Sequence, residues 1–279
     1  MSLNVNVSGV WKNITETWIN VAGTWKKCIE VYVKVAGVWK PVYYTPGTQT
    51  FNTPNTSQTF TVPQGVFSIT FAVAGGGGGT GGPDGGQTSA NSQAGSLITY
   101  TLAVQPGQTF TIKVGGGGAA GLNGTGTGGG LGGLNIETAY NGGKGGNAGT
   151  SGTSGAGGGG GAATLVYSGA TLIIAAGGGG GAGGCGLNGG APGAIGGYNT
   201  LPVGAAGANR GGDGGGGGGG GGGYTLGGAG GPLYGGDNTA YSGNRGNSLV
   251  PSLATLGVAA NGMSGNGVKG GDGYVTVTW

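Results

Sequence analysis

Carboxylates are the only common acid–base side chains that this sequence offers, because it contains no histidine. Without imidazole, neither a Ser–His pair nor a histidine–metal site can form. A glycoside hydrolase could work with two carboxylates about 5–9 Å apart, but nothing in the spacing of the acids predicts such a pair. We therefore predict a protein that is not an enzyme and that holds no metal or cofactor. Beyond residue 40 the acids are Asp84, Glu137, Asp213, Asp237 and Asp272.

Side chains that could bind a ligand are more frequent than candidate catalytic ones, since tyrosine and arginine recur in the segments between glycine runs. These segments are 83–93, 131–144, 187–213 and 224–269. Tyrosine offers a large, rigid contact surface, and with Gly, Ser and Asn it makes up much of antibody paratopes. We expect these loops to bind a ligand; the alternative is that single tyrosines pack across the loop bases. The candidate binding residues are Tyr140, Tyr198, Arg210, Tyr224, Tyr234, Tyr241 and Arg245.

A repeat of 14 residues fills the first 44 positions and contains most of the tryptophan. Its copies align at residues 7–12, 21–26 and 35–40. Each copy has two short alternating runs around an X-Gly pair, which predicts a β-hairpin with a two-residue turn. One face of the hairpins is then aliphatic and the other is aromatic and polar. The candidate attachment residues on the aromatic face are Trp11, Trp18, Trp25, Tyr32 and Trp39.

An amphipathic meander of this size cannot bury both of its faces alone. Three similar units in one chain could form a pseudo-threefold cap on a fibre of threefold symmetry. Packing on the glycine-rich part of the chain, or on copies of itself, remains open. Cys28 occupies the aliphatic position of Ile14 and Val42, which favours a small core residue, and a disulfide with Cys185 stays a second possibility.

The net charge of +3 is local to the N-terminal segment. Up to residue 40 there are five lysines and two glutamates, whereas the rest of the chain holds five charges of each sign. So few cations do not predict nucleic-acid binding. No apolar stretch reaches about 18 residues, and no secretory signal is visible, so we expect no membrane insertion.

Glycine makes up 83 of the 279 residues, and its longest run is Gly214 to Gly223. A lone run would stay unfolded, because fixing each residue costs roughly 1–2 kcal/mol. Extended helices with three residues per turn offer an alternative, since N–H and C=O groups then point outward and can bond to neighbouring helices. Such a stack of helices is called polyglycine II.

The glycine runs adjoin segments with the two-residue alternation of strands. Ala74 leads into Gly75, Val114 into Gly115 and Ala176 into Gly177. We therefore predict an all-β fold with polyglycine II and essentially no α-helix, in which a small β base continues into a stack of polyglycine helices. The predicted strands are 66–74, 98–104, 110–114, a hairpin over 163–174, and the last seven residues, with the first and last of these as neighbours. The predicted organisation is an attachment domain over 1–44, a connector over 45–60 and a glycine-rich binding domain over 61–279.

Three stretches resemble the glycine-rich domain of phage tail-fibre proteins. They are TFTVPQGVFSITFAVAGGGGG at 59–79, QPGQTFTIKVGGGG at 105–118 and GGDGYVTVTW at 270–279. The VxVxGxWK hairpins resemble repeats that are common in the same proteins. The architecture is similar to the glycine-rich adhesin at the tip of the long tail fibres of T-even-like phages, where a small attachment domain sits on a trimeric fibre and loops of a polyglycine II sandwich bind the host.

This resemblance implies a virion protein at the distal tip of a tail fibre. Its partners would be a trimeric fibre protein or copies of itself, and a protein or glycan on a bacterial outer surface. Two other classes fit the composition. An ice-binding protein could use the flat faces of stacked polyglycine helices, and a purely structural virion or cell-surface protein would bind no receptor.

Overall fold

The computed structural model describes residues 4–14, 16–28, 30–84, 91–152, 154–186, 203–207, 214–230, 242–263 and 267–279. Within these residues the protein is all-β, with fifteen strands and one 3-10 turn at Thr138–Tyr140. The described part of the chain contains no α-helix, which confirms the predicted fold class at this level.

The first six strands form three separate two-stranded hairpins. In each of them a two-residue turn closes the hairpin, and both turn residues have positive φ, as at Ser8 (55°) and Gly9 (85°). Such turns match the twist of a hairpin. The Asn6 Oδ1 atom accepts a hydrogen bond from Gly9 N at 2.9 Å, and Asn20 does the same for Gly23. The paired strands are β1 (Asn4–Val7) with β2 (Val10–Asn13), β3 (Thr17–Val21) with β4 (Thr24–Cys28), and β5 (Glu30–Val35) with β6 (Val38–Tyr44).

The other nine strands form two antiparallel sheets. The five-stranded sheet has the order β14-β10-β9-β15-β7, and the four-stranded sheet has the order β13-β12-β11-β8. As expected, the strand before Gly75 pairs with the last strand, and Val275 stands opposite Val73. The strands are β7 (Thr48–Phe51), β8 (Ser57–Thr61), β9 (Ser68–Ala74), β10 (Ser96–Ala103), β11 (Thr109–Lys113), β12 (Thr164–Ser168), β13 (Thr171–Ala176), β14 (Thr255–Val258) and β15 (Tyr274–Thr278).

The predicted connector over residues 45–60 is wrong, because this segment supplies an edge strand to each sheet. Strand β7 pairs with β15, and β8 pairs with β11. Each strand buries one phenylalanine, and the ring centroids of Phe51 and Phe60 lie 6.4 Å apart. A single apolar residue among threonines and asparagines produces no visible alternation, although it is enough to anchor a short strand.

Aromatic and β-branched side chains from both sheets share one core. Phe71 of β9 and Phe110 of β11 pack edge to face with their centroids 5.2 Å apart. Trp279 covers Phe60 at 5.6 Å. The ends of β9, β11 and β13 continue into glycine runs, so this core fixes where the runs begin.

The glycine runs bond to one another with a period of three residues. We call residues 155–163 the central run. Its N–H groups at Gly158, Gly159 and Gly160 donate to three different segments, through the carbonyls of Ala182, Ala119 and Gly143. The next three N–H groups return to the same segments in the same order, at Gly179, Gly116 and Tyr140. A β-strand would instead alternate with a period of two.

The carbonyls of the central run accept hydrogen bonds from three further segments. Gly216, Gly219 and Gly222, for example, donate to its carbonyls at three-residue intervals. The other donors lie in segments 76–82 and 130–133. Six segments therefore surround the central run, and each of its nine N–H groups has a backbone partner. The hydrogen bonds within this network replace a side-chain core.

Glycine is required where the α-carbon faces another run. A Cβ at Gly117 would stand 2.0 Å from the carbonyl oxygen of Gly270, whereas at Gly116 its nearest neighbour would be 3.3 Å away. The positions three and six residues after Gly116 are Ala119 and Leu122. The side chains of Ala119 and Leu122 thus follow the one glycine of segment 115–122, Gly116, at which a Cβ would meet no atom closer than 3.3 Å. Every residue from 214 to 223 is buried, as expected for an internal run.

Candidate functional site

The predicted binding residues divide into two groups. Tyr140, Tyr224 and Arg245 are described and half-buried. The others lie outside the described residues; they are Tyr198, Arg210, Tyr234 and Tyr241.

Tyr140 and Tyr224 pack on the four-stranded sheet, on the face that points away from the main core. Both contact the small cluster of Ala163, Leu165 and Ala175. Burial raises the pKa of the Tyr140 hydroxyl, and the nearby Glu137 carboxylate adds to this effect. These two tyrosines therefore serve at least as packing residues at the loop bases, which is the alternative that the sequence left open.

A charged group beside these tyrosines was not predicted. The Glu137 carboxylate accepts a hydrogen bond from Tyr167 Oη at 2.8 Å and forms an ion pair with Lys113. The Lys113 ammonium also lies 4.8 Å from the centroid of the Tyr167 ring. Burial raises the pKa of Tyr167, and its hydrogen bond to Glu137 raises it further. The phenol therefore stays protonated and donates.

The two-residue alternation of the strands could have predicted that Lys113 and Tyr167 share a face. Ile112 and Val166 point into the main core, so Lys113 and Tyr167 must point to the opposite face. The loop that brings Glu137 to them is fixed by Asn135, whose Nδ2 donates to the carbonyl of Ala163 at 2.8 Å. No sequence pattern indicates that long-range bond.

Each described acid beyond residue 40 has a neighbour other than a second carboxylate. Glu137 binds Lys113, Asp272 binds Lys269 at 2.9 Å, and Asp84 is buried beside Cys185. Asp213 and Asp237 lie outside the described residues. Within the described part of the chain, no three His, Cys, Asp or Glu side chains are grouped as a metal site would need.

Arg245 is engaged with the glycine network. Its Nε donates to the carbonyl of Ala94 at 2.8 Å, and burial lowers the pKa of the guanidinium. Its segment also bonds to neighbouring runs, since Gly246 N donates to Gly178 and Gly243 N to Gly181. This arginine therefore stabilises the position of its own run against the run that holds Ala94.

The aromatic face of the hairpins is exposed. Trp25 and Trp39 are 65% and 64% exposed, and Trp18 and Tyr32 are also exposed. The strand register places Trp25 opposite Asn20, and it places Trp11 at the equivalent position opposite Asn6. This face therefore presents aromatic surface that the described part of the chain does not cover.

Charged groups lie among these aromatic residues. Lys27 forms an ion pair with Glu16 at 2.7 Å, and Trp18 Nε1 donates to the same carboxylate at 3.2 Å. The Lys34 ammonium lies 5.7 Å from the centroid of the Trp39 ring. The face combines aromatic rings with cations, which suits a partner that offers both apolar contact and negative charge.

The opposite face is not purely aliphatic, and that expectation is corrected. Lys26 stands opposite Ile19, and Lys12 and Lys40 hold the equivalent positions opposite Val5 and Val33. The two-residue period of a strand puts the Lys26 side chain on the same face as Thr24, two positions before it.

Comparison of the chain with protein-family models and with curated protein sequences finds no match. Within the described residues there is no helix long and apolar enough to cross a membrane.

Proposed function

We propose that this protein is a non-enzymatic adhesin at the distal tip of a phage tail fibre. The observation that carries the proposal is the three-residue hydrogen-bond period of the glycine runs on a β-sandwich base. Such a network fixes the backbone chiefly through its own N–H and C=O groups. Loops between the runs are therefore free to differ in sequence while the scaffold keeps its shape.

The scaffold in this proposal is a stack of polyglycine II helices. Polyproline-II-like chains have three residues per turn and rise about 3.1 Å per residue, so their N–H groups point in three directions in turn. The central run shows this distribution of partners, and its carbonyls accept from three other segments. The ten residues from Gly214 to Gly223 would span about 31 Å in this conformation.

We assign attachment to the fibre to the three hairpins, each of which is one copy of the 14-residue repeat. Their support is the exposed aromatic surface around Trp25 and Trp39 and the excess of lysine in the first 40 residues. An isolated two-stranded hairpin is only marginally stable, so a partner surface would stabilise all three. The partner is a trimeric fibre protein, with self-association as the alternative.

Receptor binding is assigned to the loops, and the receptor is a bacterial surface protein or glycan. Because Tyr140, Tyr224 and Arg245 are used in packing, the candidates of greatest interest are the ones outside the described residues. Tyr198, Arg210, Tyr234 and Tyr241 combine the rigid aromatic surface and the cations that recognition sites favour.

The test is a loop exchange that spares the bonded network. Segments 187–202, 208–213 and 231–241 are replaced by those of a related protein, and binding of the purified full chain to a panel of bacterial strains is measured. We expect the strain preference to follow the exchanged segments while the melting temperature is retained. A well-folded wild-type chain that binds no strain, or an exchange that leaves the preference unchanged, would contradict the proposal.

Ice binding remains a second candidate because of the outer face of the five-stranded sheet. Threonine pairs on this face lie side by side, with Oγ1–Oγ1 distances of 3.1 Å for Thr50 and Thr276 and 3.0 Å for Thr70 and Thr101. Neighbouring strands repeat such hydroxyls and methyls about every 4.8 Å. Thermal hysteresis of the purified protein that disappears in Thr276→Lys would favour this function over the adhesin.

A further inference from the structure

A groove on the side of the glycine network lies over the segment 115–122, which we call the groove run. Its volume is about 270 Å³. Leu131 and Leu134 form one wall, and Lys269 and Asp272 form the other. Pro54 lies at one end. The two leucines are 67% and 54% exposed, so the wall they form is apolar and accessible.

The groove run contains backbone groups that have no partner among the described residues. Within the described residues, no donor reaches the carbonyl oxygens of Gly117 and Ala120, and the N–H of Ala120 reaches no acceptor. The N–H of Gly117 donates to Asp272 Oδ1 at 2.8 Å. Gly117 is buried, and a buried carbonyl without a donor is uncommon in folded proteins.

The spacing of these groups continues the pattern of the network. The other N–H groups of the groove run donate to the runs on either side and behind it, as Gly116 does to Leu134 and Gly118 to Gly77. The unpartnered carbonyls are three residues apart, so in an extended helix of three residues per turn they face the same direction, about 9 Å from each other. The groove therefore has the hydrogen-bonding pattern of a neighbouring run that is missing.

We propose that this groove binds an extended, glycine-rich segment of another polypeptide. N–H groups of that segment, three residues apart, donate to the carbonyls of Gly117 and Ala120. Glycine or alanine is needed where the segment faces Gly116 and Ala119, because side chains would hold the two backbones apart. Its outward side chains contact the leucine wall. This inference is independent of the proposed function.

The test measures binding of a soluble peptide, (Gly-Gly-Ala)4 flanked by two lysines at each end, to the full chain by calorimetry. In the matched negative peptide every residue of the (Gly-Gly-Ala)4 repeat is N-methylated, which removes the backbone donors of the repeat. We expect the first peptide to bind and the second to bind at least tenfold more weakly. Equal binding of both peptides, or no binding of the first, would overturn the proposal.

One variant locates the site. Leu131→Ser replaces one of the two leucines of the apolar wall and should weaken binding. Its control is Leu253→Ser, since Leu253 is fully exposed and does not line the groove. Binding that is unchanged in Leu131→Ser would place the peptide elsewhere and overturn the proposal. A chain that dimerises through the groove, seen as a mass that falls in Leu131→Ser, would replace the peptide with a second copy and also overturn the proposal.

Discussion

The α-carbon of Gly218 faces the carbonyl of Gly181, and a Cβ at Gly218 would stand 2.0 Å from that oxygen. The neighbouring carbonyl carbon would lie 2.6 Å away. Both groups belong to backbone that is itself hydrogen-bonded, since Gly181 N donates to Gly219 O at 2.7 Å. Neither run can move aside without breaking bonds to its other neighbours, so the network excludes side chains at such positions.

Replacing Gly218 with valine should therefore destabilise the whole glycine-rich part. We expect a loss of about 3 kcal/mol or more in the free energy of unfolding, since overpacking here acts on backbone and not on flexible side chains. Gly128 is the control, because a Cβ there meets nothing within 4 Å, and Gly128→Ala should change stability by less than about 0.5 kcal/mol. Thermal melting followed by circular dichroism measures both. Equal melting of Gly218→Val and wild type would show that the run is a tolerant linker.

Asn261 holds two runs together through its buried side chain. Its Oδ1 accepts from Gly95 N at 3.0 Å, and its Nδ2 donates to Gly75 O at 2.7 Å. Asn261→Ala leaves both backbone groups without a partner, which should cost about 2–4 kcal/mol of unfolding free energy. Asn244→Ala is the control, because that side chain is exposed. Chemical denaturation measures the difference. A small effect at Asn261 would mean that water replaces its amide.

The strands of the β base could be predicted because their side chains alternate visibly. Ile69, Phe71 and Val73 mark β9 in this way, and all three are buried. The short edge strands were missed because Phe51 and Phe60 stand alone among polar residues. In a strand of four or five residues, one buried ring and the pairing with an existing sheet outweigh composition.

The partners of each glycine run could not be predicted, because a run without side chains has nothing that specifies its register. The useful signal lies in the residues of a run that are not glycine, such as Ala119 and Leu122, which follow Gly116 at intervals of three. The role of a loop tyrosine could not be predicted either. A tyrosine in a loop has the same sequence context whether it meets a ligand or, like Tyr140, packs on Leu165.

The two kinds of tryptophan in this chain should respond differently to truncation. Trp25 is 65% exposed on a hairpin, whereas Trp279 packs on Phe60 and covers Gly47. Trp279→Ala should lower the free energy of unfolding by about 3 kcal/mol, and Trp25→Ala should change it by less than about 0.5 kcal/mol. If the hairpins attach the protein to a fibre, only Trp25→Ala should weaken that assembly at a temperature where both variants are folded. Pull-down of the full chain with the fibre protein makes this comparison, and unimpaired capture of Trp25→Ala would argue against the aromatic face.

The Tyr167 phenol should make stability fall at alkaline pH. Its pKa in the folded chain is raised above the ordinary value of 10.0, chiefly by burial and then by Glu137. The unfolded chain thus releases this proton at lower pH than the folded chain, so the contribution to stability is present below pH 10 and is lost as the pH rises further. Melting temperatures between pH 8 and about pH 11 should decline less in Tyr167→Phe than in wild type. Tyr100→Phe, on the other sheet, is the matched substitution with which the decline is compared.

The two cysteines should differ strongly in reactivity. Both are free thiols, so the disulfide considered from the sequence is absent from this structure. Burial raises the pKa of the Cys185 thiol to about 11, and the nearby Asp84 carboxylate contributes. At pH 8 only about a thousandth of that thiol would be ionised, and its burial also blocks access to reagent.

Cys28 lies half-buried on a hairpin. We expect a maleimide to modify Cys28 at least a hundredfold faster than Cys185 in the folded chain, with similar rates after unfolding. Mass spectrometry of the labelled protein measures the rates, and Cys28→Ser assigns the fast reaction. If both thiols react equally fast in the folded chain, the segment around Cys185 must open readily. Two hydrogen bonds of its run argue against such opening, from Cys185 N to Gly82 O and from Gly184 N to Gly216 O.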